Sequence, residues 1–272
     1  MTETLDRTPL SVLLSQLQPS GDAWEIDIPE DWLQGRAIYG GLSAAVCLAA
    51  VTAAVDDLAP LRSAQIAFVG PAGPGVCVRP SILRQGKSMA FVAADMTSSD
   101  KPAVRATFGF GAARESALAY EHVSAPDVAD PAEGGRFFED REGRNLGPNF
   151  ARHFDSAWAA GATPISGAGT PEFCVWMRHR DVAMRDSLLG LVALADALPP
   201  AAMARMTAPA PVSSVTWQFD LLHDRPATDD GWWLCRSSAE QIADGYSAQH
   251  MTIWNSQREP VLVGRQSVAV FA

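Results

Sequence analysis

A single internal duplication limits what this chain can fold into. Read for apolar periodicity, residues 23–28 form a strand, residues 42–55 an almost wholly apolar helix, and residues 61–69, 76–84, 89–97 and 103–112 four more strands. The order then returns. Residues 172–178 read as a strand, 187–198 as a second apolar helix with Asp186 as N-cap, and 212–222, 232–241, 246–255 and 261–271 as four strands. The punctuation returns with it. Gly86-Lys87-Ser88 recurs as Gly245-Tyr246-Ser247, 159 residues on, and Lys101-Pro102 as Glu259-Pro260, 158 residues on. Two such turns at nearly one offset mark a duplicated supersecondary unit rather than a short-period solenoid. Each unit is a mostly antiparallel sheet with one greasy helix against a face, so the expected class is α+β, two units in tandem. The expected boundaries are 1–115 for the first unit, 116–170 for a connecting segment and 171–272 for the second.

The two helices differ in one respect. Residues 42–55 are small and apolar, whereas the second helix carries Asp196 near its end. A carboxylate there opposes the helix dipole, and a helix apolar all round is normally buried. Burying an unpaired charge costs several kcal/mol or raises its pKa, so Asp196 is either on a solvated edge or held for chemistry. A short helix is expected before the first unit, with Thr8 as N-cap, Pro9 at its first position and Leu10, Leu13, Leu14 and Leu17 facing inward. The segment 113–170 is rich in Ala, Gly, Pro and charge, and reads as a connection packed through Phe137, Phe138, Phe150, Phe154 and Trp158, with room for a short helical turn.

Several function classes are disfavoured. A net charge of −10 argues against general nucleic-acid binding, which needs a basic face. No run approaches the ~20 apolar residues that span a bilayer. The polar start MTETLDRTPL lacks the pattern of a signal peptide, giving a cytoplasmic expectation. Cys47, Cys77, Cys174 and Cys235 form no CxxC pair, and the five histidines show no metal-site spacing, so no metal is expected. GPAGPG precedes no helix, and Gly86-Lys87-Ser88 lacks the earlier glycine of a phosphate loop; both read as hairpin turns. Ser43 and Ser247 lie outside any GxSxG elbow, and strand–helix alternation of an α/β-hydrolase is missing.

The duplication also tests function. An offset of 158 sets Gln266 against Phe108, and pairing Pro71 with Pro226 sets Thr216 against Leu61. Gln266 shares its strand face with Leu262, Val268 and Val270, so its amide must find buried partners. Thr216 shares a face with Ser214 and Gln218, and by alternation points outward. Polar residues at two positions where the sister unit is apolar point to one site carried by the second half.

The stretches IYGGLSAAVCLAA, RQGKSMAFVAADM, LLGLVALADALP, SVTWQFDLLHDRP, DGYSAQHMTIW and LVGRQSVAVF resemble, in this order and spacing, the acyl-CoA thioesterase II type. The resemblance covers most of the chain and is weakest over 113–170. It implies a double hotdog: two tandem units, each an antiparallel sheet wrapped around a central helix. It further implies that Asp196, Thr216 and Gln266 hold a water, with about two residues of slippage in the helix match around Asp196. The family's segment often has an Asp and a His soon after the Thr, where this chain has Trp217 and Gln218. The implied reaction is hydrolysis of an acyl-CoA thioester in fatty acid metabolism, with no cofactor, CoA entering as part of the substrate, and further association into a homo-oligomer. Such chemistry needs a base on the water, which suits a desolvated Asp196, and donors for the oxyanion. Backbone N–H groups at the start of the first helix, at Gly40, Gly41 and Leu42, are candidates. Arg36, Arg79, Arg84, Lys87 and Arg225 are candidate phosphate contacts. The rivals are a hotdog hydratase or dehydratase, which wants a paired His and acid, and a non-catalytic acyl-CoA-binding module.

Overall fold

Alternating and β-branched segments pair into one continuous sheet in the computed structural model, which describes residues 7–272 apart from Arg141. Residues 1–6, part of the polar start read above as no signal peptide, lie outside the described residues. The first unit contributes β1 (Ala23–Asp27), β2 (Leu61–Phe68), β3 (Gly75–Gln85), β4 (Met89–Ser98) and β5 (Lys101–Gly111). Then come β6 (Phe154–Gly161), β7 (Glu172–His179), β8 (Val212–Leu221), β9 (Trp233–Ala243), β10 (Tyr246–Trp254) and β11 (Pro260–Val270). Flanked by short edge strands at Gln18–Ser20 and Gly135–Arg136, the order is β1-β3-β4-β5-β2-β8-β11-β10-β9-β7-β6. Strip off β6 and the two units have the same internal order, so the duplication read from the sequence is a duplication of topology. They join edge to edge through β2 and β8, antiparallel, with Trp217 opposite Ile66. Turn chemistry fixes the register: Asp244 and Gly245 both take positive φ (52° and 79°), the two-residue hairpin that an Asp-Gly pair favours.

The helices are α1 (Leu10–Leu14), α2 (Gly40–Ala54) and α3 (Leu188–Ala195). In α2 every residue from Gly41 to Val51 is buried, which is why the sequence there is apolar all round. Expectations shift at helix ends, and α2 runs from Gly40 to Ala54 where 42–55 was expected. The cap of α3 is Ser187, whose hydroxyl accepts from the Gly190 N–H at 2.9 Å, and not Asp186. The helix stops at Ala195, three residues early, because Asp196 leaves helical geometry (φ −107°, ψ 17°) ahead of Pro199-Pro200. At the N-terminus Pro9 takes the cap position with extended ψ, one place later than expected.

The connecting segment holds more structure than its composition suggested. The expected helical turn is a 3-10 turn at Asn149–His153, and β6 follows it, pairing antiparallel with β7. Phe138, Phe150 and Phe154 are buried as expected, whereas Trp158 is exposed. Phe150 stacks on Tyr39 at 3.9 Å, and His153 on Trp32 at 3.7 Å, its imidazole 3.2 Å from the buried Asp31. The Thr8 N–H donates to that same Asp31, which ties the N-terminal segment to the 3-10 turn. No helix among the described residues is long and apolar enough to cross a membrane.

Candidate active site

The site forms where α2 begins and α3 ends. Tyr39, just before α2, donates from its hydroxyl to the Ala193 carbonyl of α3 at 3.0 Å. The close approach depends on two glycines. A Cβ on Gly41 would run into the Ala193 carbonyl and the Tyr39 ring, and one on Gly40 would run into the Asp196 carboxylate and lie 2.7 Å from the Phe68 ring. The backbone of Gly40-Gly41 therefore packs directly against Asp196. The amino end of α2 supplies the positive dipole end that the carboxyl end of α3 cannot. That resolves the misplaced acid: its own helix opposes it and the neighbouring helix accepts it.

Asp196 is largely buried and lines a cavity. Burial pushes its pKa up to about 7, against the opposing pull of hydrogen bonds from Gln266 and the Gly41 N–H. Gln266 Nε2 donates to Asp196 Oδ1 at 2.7 Å and also to Ser214 Oγ at 3.0 Å. On the other side of the amide, Gln266 Oε1 accepts from Gln249 Nε2 at 2.6 Å, and Gln249 Oε1 accepts from the Ala201 N–H at 2.9 Å.

Of the residues expected from the sequence, the structure brings together Asp196 and Gln266 but leaves Thr216 out. Thr216 is exposed on the outer face of the sheet, bordering a shallow groove with Gln65, Arg105 and Arg265. The cause is a β-bulge: Ser214 lies opposite Val268 and Thr216 opposite Ser267, so two residues of β8 oppose one of β11. The extra residue breaks the alternation. Ser214 turns inward to Gln266, Trp217 and Phe219 continue that face, and Thr216 stays outside with Gln218. The first unit has its bulge in the same place, with Leu61 opposite Phe110 and Ser63 opposite Gly109. The register thus equates Leu61 with Ser214, not with Thr216, and the polar-for-apolar asymmetry survives with a different residue.

Among the expected oxyanion donors, Gly40 lines the cavity, whereas Gly41 directs its N–H at Asp196 and the Leu42 side chain is in the core. Ser43 also lines the cavity, but its hydroxyl donates back to the Tyr39 carbonyl at 3.2 Å. The cavity has a volume of about 770 Å³, with walls that include Phe68, Phe138, Phe150, Leu198, Pro200 and Met203. None of the five candidate phosphate contacts lines it. Arg79 is paired with Asp22 at 2.8 Å, and Arg36 is exposed between the lining residues Gly35 and Ala37. Among the described residues no three His, Cys, Asp or Glu side chains converge in a way that could hold a metal ion. Sequence reading missed Ser214 and Gln249. Gln249 was reachable by the argument that found Gln266, since it sits on an inward strand face between Ser247 and Met251, all three buried.

The chain superposes on a conserved hot dog-fold protein of unknown function from Alicyclobacillus acidocaldarius at a TM-score of 0.85, with 20% identity over 98% of this chain and 99% of the other. It superposes on an acyl-CoA thioesterase II from Mycobacterium marinum at 0.72, with 17% identity over 94% and 96%. The likeness to the dehydratase domain of PpsC from Mycobacterium tuberculosis, solved with C12:1-CoA, is lower, at 0.50 with 16% identity over 92% and 93%. At these identities the superpositions speak to the fold, a double hotdog. No curated protein matches the sequence. The family model for the acyl-CoA thioesterase N-terminal domain matches residues 28–111, and that for the C-terminal domain matches residues 123–270. With more than half of its length under the second model alone, the chain belongs to the acyl-CoA thioesterase family and is a thioesterase.

Proposed function

We propose that the protein hydrolyses an acyl-CoA thioester with a water activated by Asp196 and oriented by Ser214 and Gln266. The carrying observation is a largely buried carboxylate and a hydroxyl, both hydrogen-bonded to one amide, on the wall of a cavity whose other lining side chains are mostly apolar. With Oδ1 engaged by Gln266, the second carboxylate oxygen of Asp196 takes a proton from water as the oxygen attacks the thioester carbonyl. Ser214 Oγ already accepts from Gln266, which leaves its own O–H free to fix the water or the tetrahedral adduct. The Gly40 N–H, at the amino end of α2, is the donor best placed to meet the oxyanion. Collapse breaks the C–S bond, and the proton held by Asp196 passes to the thiolate, giving the free acid and CoA.

A pKa near 7 suits this role. The base is half ionised near neutral pH and more fully above it, yet has more driving force for proton transfer than an ordinary carboxylate. The apolar walls match an acyl chain, which gains about 0.8 kcal/mol for each methylene buried. Among the described residues no histidine lines the cavity, and a hydratase would want a His–acid pair there. The test is thiol release from acyl-CoA esters of increasing chain length, for the parent and for Asp196→Asn. A folded variant slowed by roughly two or more powers of ten supports the assigned base. Equal rates would remove Asp196 from the chemistry. A parent that binds acyl-CoA without releasing thiol would turn the reading towards a binding module.

A further inference from the structure

We infer that Gln249 is a positioning residue that sets which end of the Gln266 amide faces Asp196. The inference rests on the catalytic reading above but has a readout of its own. A primary amide has two nearly isosteric orientations related by a half-turn, and only one presents N–H to a carboxylate. In the other, Gln266 would oppose Asp196 Oδ1 with an oxygen and could not donate to Ser214. What selects the productive orientation is a donor on the far side, and Gln249 Nε2 supplies it at 2.6 Å. Gln249 has the same ambiguity and is resolved in turn by the Ala201 N–H at 2.9 Å, a backbone group that can only donate. Each bond therefore runs the same way, from Ala201 through Gln249 and Gln266 to Asp196. Gln249 and Gln266 are 1% and 5% exposed, so bulk water has little access to replace a missing member.

The duplication provides an internal control. Gln266 lies between Gln249 on β10 and Trp217 on β8; Phe108, its repeat counterpart, lies between Val92 on β4 and Ala64 on β2. The same topology is thus held in the first unit by an apolar pair, fully buried. Folding the unit does not require two glutamines there; directing a hydrogen bond at Asp196 does. The chain of bonds also begins on the wall of the cavity, because Ala201 follows Pro199-Pro200, and both prolines and Met203 line it. Neither proline has an N–H, so Ala201 offers the first backbone donor after the Asp196 turn's Leu198.

Two substitutions test this. Gln249→Glu keeps the shape and still accepts from Ala201 but, once ionised, cannot donate to Gln266; its charge also raises the Asp196 midpoint directly, so Gln249→Met carries the decision. The Gln266 amide then turns, and its oxygen faces an Asp196 that it can hydrogen-bond only when protonated, which raises the carboxyl's titration midpoint. Gln249→Met removes the donor without adding charge. The ionisable neighbour that senses Asp196 is Tyr39, whose phenol burial and the Asp196 charge hold well above its usual value, so it stays neutral over the range used. The direct readout is the titration of the Asp196 carboxyl carbon by NMR, assigned with Asp196→Asn, in the parent and both variants.

We expect the midpoint to rise by at least one unit in Gln249→Glu and by less in Gln249→Met, with kcat for acyl-CoA down about tenfold or more and KM within twofold. An unchanged midpoint in folded Gln249→Met overturns the inference, whatever Gln249→Glu does. Loss of packing alone would lower the melting temperature without moving the midpoint, and that outcome also counts against it. If Asp196 proves dispensable for hydrolysis, the catalytic reading fails, but a shifted midpoint still supports Gln249 as the group that orients Gln266.

Discussion

Asp196 should make the folded protein less stable above neutral pH, and Asp196→Asn should show by how much. Burial raises its pKa from 3.8 to about 7. Between those values the folded chain keeps a proton that the unfolded chain has released, so stability falls as pH rises across the window and levels off above it. Three units at about 1.4 kcal/mol each set a ceiling of about 4 kcal/mol on that loss. Asparagine does not titrate. It still accepts from Gln266, but its NH₂ meets the Gly41 N–H donor to donor, a constant penalty of about 1–3 kcal/mol. The variant should therefore be less stable than the parent by roughly 2 kcal/mol near pH 4 and more stable by a similar amount above pH 8, crossing between. Denaturant unfolding of both proteins at pH 4.5, 6 and 8.5 measures the gap directly. A gap that stays constant across that range would mean that Asp196 titrates normally in the fold, and the argument for a burial-tuned base would fail.

Three further outcomes follow from the same geometry. Ser214→Ala should lower kcat by about tenfold or more, as loss of an aligned donor does, whereas Thr216→Val, on the outer face, should stay within twofold; comparable losses in both would undo the bulge-based assignment. Gly40→Ala should cut kcat/KM at least tenfold by driving a methyl group into Asp196 and Phe68, read by steady-state hydrolysis together with a circular dichroism check of folding. His179 is buried, hydrogen-bonded to the Gly190 carbonyl at 2.8 Å and pushed down to about 4 by desolvation. The unfolded chain gains a proton below pH 6.5 that the folded chain refuses, so up to about 3 kcal/mol is lost as pH falls from 6.5 to 4. His179→Gln should flatten that part of the stability profile in calorimetry.

What could be read in advance depended on whether a residue broke a pattern or only continued one. Asp196 broke a greasy helix and Gln266 broke an apolar strand face, and both line the same cavity. Thr216 broke nothing. By alternation it pointed outward, and it does; only the resemblance moved it inward. A bulge adds a residue without changing composition, so nothing in PVSSVTW announces that Ser214, and not Thr216, turns towards Gln266. Strand β6 was hidden for a related reason. FDSAWAAG has no β-branched residue, and it is a strand because β7 offers it an unpaired edge. Gly40-Gly41 was legible as a close approach, but which neighbour approached could not be read locally, because Asp196 and Ala193 come from more than 150 residues away.

The meeting of α2 with α3 has a consequence for ancestry and stoichiometry. The acid, its amide and its hydroxyl belong to the second repeat, while the N–H that holds the acid and the Phe68 ring beside it belong to the first. Neither repeat alone contains the whole candidate centre. A single-unit ancestor could have assembled one only as a symmetric pair, and a symmetric pair would have assembled two. In one chain a single centre suffices, and the equivalent positions of the first repeat are hydrocarbon: Leu61, Val92 and Phe108, where its sister has Ser214, Gln249 and Gln266. Counting active centres against protein should therefore give one for each chain, half the number of units.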